Sequence, residues 1–128
     1  MLRNVVGAGK IRRQRPEGRI TMKAYVIAFV RKAELNAEIV EYLQRIDATI
    51  DPFQGRFLVH AGGAEVVEGD AVMDAIVIEF PSREQLRAWW DSPEYQEIKP
   101  LRTRNMDADV VFVNGLPEGY RGADSLKH

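Results

Sequence analysis

The chain has 128 residues, an apolar share of 45%, a charged share of 29% and no cysteine. This suits one globular domain and excludes disulfides, thiol nucleophiles and cysteine-held metals. The net charge of −1 is unevenly spread: residues 1–21 hold six basic side chains against Glu17 alone, a net of +5, which leaves −6 on the remainder. The two histidines, His60 and His128, show no spacing that resembles zinc or non-haem iron ligation, so neither a metal nor a cofactor is expected.

Residues 1–21 show no period of 2 or 3.6 and contain Gly7, Gly9, Pro16 and Gly18. Such a segment buries too little to offset its ordering entropy. It reads as a flexible arm on a partner subunit, as a nucleic-acid-binding tail, or as a non-native extension ahead of a start at Met22. No aromatic interleaves its arginines, and the domain behind it is acidic, so nucleic acid is disfavoured. No apolar run reaches the ~18 residues of a membrane span. The N-terminus lacks the apolar stretch of a secretory signal, which predicts a cytoplasmic protein.

Lys23–Val30 reads as a strand that is apolar on both faces, with Ala24, Val26 and Ala28 on one and Tyr25, Ile27 and Phe29 on the other. Such a strand is covered on both sides. Leu35, Ile39, Tyr42, Leu43, Ile46 and Ile50 then form one helical stripe, which Asp51-Pro52 ends. Gly55–Ala61 is the second strand. Gly62-Gly63 allows a bend, after which Ala64–Glu68 is expected to continue as strand. Asp74–Phe80 is the third strand, apolar on both faces except at Glu79. Ser82 and Gln85 form a capping box ahead of a helix carrying Leu86, Trp89 and Trp90. Ser92-Pro93 opens a further helix with Tyr95, Ile98 and Leu101 inward and a kink expected at Pro100. Asp109–Val113 is the fourth strand, and residues from Gly115 onward read as a loose tail, 116–128.

This order is β-α-β-β-α-β, the ferredoxin-like split βαβ of the α+β class, with an antiparallel sheet. Helices on this pattern cover only one sheet face. The apolar residues on the other face predict a homodimer built on a two-fold axis.

Four stretches stand out within residues 22–115: Lys23-Ala-Tyr-Val-Ile-Ala, Gly55-Arg-Phe-Leu-Val, Ile78-Glu-Phe-Pro-Ser82 and Ser92-Pro-Glu-Tyr-Gln-Glu-Ile-Lys-Pro-Leu-Arg102. With Ala61-Gly-Gly and Val67-Glu-Gly69, they resemble the domain-of-unknown-function 1330 family of the dimeric α+β barrel superfamily. The resemblance implies a homodimer with two sheets face to face. It implies little about chemistry, although related barrels include cofactor-free monooxygenases and heme-degrading enzymes.

Simple strand alternation puts His60 on the face of Arg56 and Leu58, and Glu79 on the matching face of the neighbouring strand. His60 and Glu79 are thus the candidate acid/base pair, with Arg56 within reach. A carboxylate beside an imidazole orients one ring nitrogen for proton transfer. A salt-bridged patch at the dimer interface accounts for the same residues. Trp89, Trp90, Tyr95 and Arg102 form a candidate binding wall, since aromatic rings with a guanidinium suit a small planar or carboxylate-bearing ligand. Adjacent on one helix, Trp89 and Trp90 point about 100° apart, so only one is core. Two functions remain open: an enzyme without bound metal that acts on a small aromatic or carboxylated molecule, or a non-catalytic small-molecule-binding or stress-related dimer.

Overall fold

Strand β1 spans Ala24–Ala33 and is the central connector of a four-stranded sheet. The computed structural model describes residues 22–70 and 72–127; the basic tail lies outside them. After β1 come α1 (Ala37–Ile50), β2 (Arg56–Val59), β3 (Asp74–Phe80), α2 (Arg83–Asp91), α3 (Pro93–Thr103) and β4 (Met106–Asn114). The sheet order is β2-β3-β1-β4, and every pairing is antiparallel. This is the α+β ferredoxin-like fold.

Local chemistry sets the helix ends. Asn36 caps α1 by accepting from the Ile39 N–H, and Ser82 caps α2 by accepting from Gln85. Ser92 caps α3 through Tyr95, with Pro93 in the first turn where its missing N–H has no intrahelical partner to lose. The first helix ends at Ile50, as expected ahead of Asp51-Pro52, and a 3-10 turn, Asp51–Phe53, follows it. Two expectations need correction. Residues Ala64–Glu68 form no strand, and β2 ends at Val59. The C-terminal stretch is not wholly loose, because Gly122–Lys127 coils into a 3-10 helix. Helix α3 runs through Pro100 to Thr103 without interruption.

The register assigns the faces. Val26 stands opposite Ile78 on one side and Phe112 on the other, while Ile27 stands opposite Val77 and Val111. The even set of β1 is buried beneath the helices with Ile78, Phe80, Ile46, Ile50, Leu86, Trp89 and Ile98. The odd set faces away from the helices. There Phe29, Val111 and Val113 remain 41%, 39% and 37% exposed. At the entry to β2, a Cβ on Gly55 would stand 2.5 Å from Ile50 Cγ2 and 2.6 Å from the Phe80 ring. Only glycine lets α1 and β3 close over that point. No helix among the described residues is long and apolar enough to cross a membrane.

Candidate functional site

The expected pairing of His60 with Glu79 does not form. The register between β2 and β3 shifts between Phe57 and Val59: Arg56 pairs with Glu79 and Phe57 with Ile78, but Val59 pairs with Val77. Leu58 is the extra residue of a bulge, and a bulge consumes one position of the two-residue alternation. His60 therefore points to the helix side, where its ring stacks on Phe57 with centroids 4.8 Å apart and planes at 18°. Ala61 follows in the left-handed region at φ 57°.

Glu79 stays on the open face of the sheet, only 9% exposed. Arg56 Nε donates to its Oε1 at 2.9 Å, Tyr25 Oη donates to its Oε2 at 3.1 Å, and Lys23 Nζ lies 3.6 Å away. Desolvation by itself would raise the Glu79 pKa, but the hydrogen bonds from Arg56 and Tyr25 and the Lys23 charge together hold it below the usual carboxylate range. Burial, reinforced by the Glu79 carboxylate, pushes the Tyr25 hydroxyl up. Arg56 and Glu79 are thus a joined pair, separated from His60 by the thickness of the sheet.

The aromatic residues do come together. Trp89 is the core tryptophan at 1% exposure. Its indole N–H donates to Thr49 Oγ1 at 3.0 Å, and that hydroxyl donates to the Ile46 carbonyl at 2.7 Å. Trp90 is half-buried. It meets Phe112 edge to face at 5.3 Å, and the Lys99 ammonium sits 5.1 Å from its centroid. Tyr95, 1% exposed, packs against both indoles at 4.2 and 5.4 Å. Its hydroxyl shares a 2.8 Å hydrogen bond with that of Tyr42 on α1. Burial, and then the neighbouring Tyr95 hydroxyl, drive the Tyr42 pKa far up, so this hydroxyl keeps its proton at neutral pH.

Between this wall and the sheet lies a cavity of about 300 Å³. Its surface is almost wholly apolar, from residues such as Val26, Ala28, Ile39, Leu43 and Met106. Polar groups reach it from few places: Tyr42, Tyr95 and Arg102 on α1 and α3, and His60 with Asp74 from the strand ends. The sequence pattern placed Tyr42 in an apolar stripe and missed it as a site residue. The available signal was the hydroxyl itself, because a tyrosine deep in such a stripe needs a polar partner. Spacing likewise carries Arg102 inward: Tyr95, Ile98 and Arg102 stand at i, i+3 and i+7 on α3. Among the described residues no group of three metal-binding side chains converges.

Solved structures share this architecture at low identity. A protein of unknown function from Rhodopseudomonas palustris is 13% identical, with 80% of this chain and 88% of that one covered at a TM-score of 0.62. A dimeric ferredoxin-like protein of unknown function from Thermobifida fusca is 15% identical, covering 74% and 92% at 0.51. SnoaB, a cofactor-independent oxygenase from Streptomyces nogalater, is 14% identical, covering 80% and 100% at 0.51. No curated protein matches. The family model described as Domain of unknown function (DUF1330) matches residues 23–116, and the chain belongs to that family.

Proposed function

We propose that each subunit of a homodimer binds a small organic molecule, aromatic or carboxylated, in the cavity between sheet and helices, and acts on it with side chains alone. The observation that carries this reading is the cavity: about 300 Å³ of apolar wall into which a few polar groups converge. That is the usual form of a small-molecule site. Trp90 and Tyr95 supply flat surface, and His60 is the acid/base, because it is the one imidazole of the domain and it borders the cavity. Glu79 and Arg56 take the other role weighed for them, a charged pair on the face that meets the second copy. The exposed Phe29, Val111 and Val113 on that face support the dimer, as does the dimeric state of ferredoxin-like relatives.

The test is a diverse library of small organic compounds, screened by thermal shift and by the indole N–H resonance of Trp90. Binders are expected to raise Tm and move that resonance. Any turnover found among them should disappear in His60→Gln, which keeps the ring's approximate volume but not its proton. A library in which nothing moves the Trp90 signal refutes the cavity as a site. Turnover that survives His60→Gln removes the catalytic role and leaves a binding protein.

A further inference from the structure

Arg102 is 9% exposed and borders the cavity. Ion pairs among the described residues engage Arg31, Arg45, Arg56 and Arg104, but not Arg102. Its polar neighbours are the hydroxyls of Tyr95 and Tyr42, and its guanidinium carbon lies 6.0 Å from the Tyr42 ring centroid. Those hydroxyls are hydrogen-bonded to each other, and that of Tyr42 holds its proton. A guanidinium remains charged at any physiological pH and carries five donors. Held out of water beside the hydrogen-bonded tyrosine pair, it is a cation with no ion-pair partner among the described residues, an arrangement folding disfavours unless a charge arrives to complete it.

We propose that the missing charge belongs to the ligand: the cavity takes an organic monoanion, a carboxylate on an apolar body, with its head at Arg102 beside the hydrogen-bonded tyrosine pair. The assignment rests on the reading that the cavity binds a small molecule, and it narrows the choice between aromatic and carboxylated ligands. The planar fork, with the one hydroxyl proton that the Tyr42–Tyr95 bond leaves free, matches one planar carboxylate. Apart from His60 and Asp74 at the strand ends, the remaining wall is apolar. Size is bounded too. A cavity of about 150 Å³ accepts benzene, so twice that volume accepts a ring with a short acidic side chain or a compact bicyclic acid. Bound in this way, the carboxylate sits at Arg102, and the apolar body fills the apolar part of the cavity.

Calorimetric titration with phenylacetate and with its neutral isostere phenylacetamide separates the alternatives. Wild-type protein is expected to bind the acid at least about tenfold more tightly than the amide. Arg102→Gln should bind the two alike, and Arg102→Lys should retain part of the preference, because the charge remains and the fork is lost. Should Arg102→Gln fail to fold, the wild-type preference and the Arg102 Nε–H resonance decide. That resonance should shift with phenylacetate and not with phenylacetamide. Equal binding of acid and amide by the wild type, or an undiminished preference in Arg102→Gln, overturns the anion assignment and leaves the cavity reading standing. Failure of both probes to bind at millimolar concentration, with no other compound moving Trp90, overturns both.

Discussion

Replacing Thr49 by valine removes one oxygen and keeps the shape. The structure says what that oxygen does. It accepts the Trp89 indole N–H at 3.0 Å inside a core where Trp89 is 1% and Thr49 6% exposed. With the oxygen gone, the indole donor has no protein partner and little access to water. A buried unsatisfied donor costs about 1–3 kcal/mol. Release of the Thr49 bond to the Ile46 carbonyl offsets little, since such back-bonding only slightly destabilises a helix. The net expectation is a loss of about 2 kcal/mol, or roughly 8–12 °C of Tm for a domain of this size. Thr49→Ser keeps the oxygen and should lose only about 1 kcal/mol for its methyl group. The decisive measurement is Thr49→Val in a Trp89→Phe background, where no indole donor exists. There the substitution should be nearly neutral, giving a coupling energy of about 1.5–2 kcal/mol by urea unfolding at fixed protein concentration. An equal cost in both backgrounds would refute the claim that this hydrogen bond holds Trp89 in the cavity wall.

Further expectations concern the open face. The folded-state pKa of Glu79 is depressed, so its contribution is present above the unfolded value of about 4.3 and is lost as pH falls through the folded value. Glu79→Gln should therefore lower stability at neutral pH and flatten the acid limb of the stability curve; an unchanged acid limb contradicts the pairing with Arg56 and Tyr25. Phe29→Asp puts a charge on an apolar patch that is 41% exposed. It should weaken self-association by at least about tenfold without unfolding the subunit, and light scattering that shows the same mass across dilution for both proteins argues against a dimer through this face.

Much of the fold could be read from β1 and β3, whose central residues are apolar on both faces, as suits a strand covered on both sides. Both became inner strands of the sheet. Ser82 and Ser92 announced their helices because a hydroxyl ahead of a free N–H is a local device that needs no tertiary context. The site was less legible for an equally local reason. Phe57, Leu58 and Val59 are all apolar, so nothing in the pattern marks the position where the register slips, and simple alternation carried across it puts His60 on the wrong face. His60 was found as a residue but misplaced as a neighbour of Glu79. Residues Ala64–Glu68 follow a strand in the sequence, yet among the described residues no strand pairs with them. Tyr42 was concealed by its own helix: the spacing that makes it core is the spacing that delivers its hydroxyl to Tyr95.

One layer of backbone separates the cavity from the open face. Along β1, Val26, Ala28 and Val30 border the cavity, and Tyr25, Ile27 and Phe29 alternate with them on the far side. Strand β3 does the same with Ile76 and Ile78 against Ala75, Val77 and Glu79. A molecule that spreads or flattens these strands on one side alters the curvature presented on the other. If the subunits associate through the open face and a ligand occupies the cavity, the two equilibria are linked. Whatever factor the ligand applies to the dimerisation constant, dimerisation returns to the ligand's affinity, so a binding isotherm measured at one protein concentration would not superimpose on one measured at another.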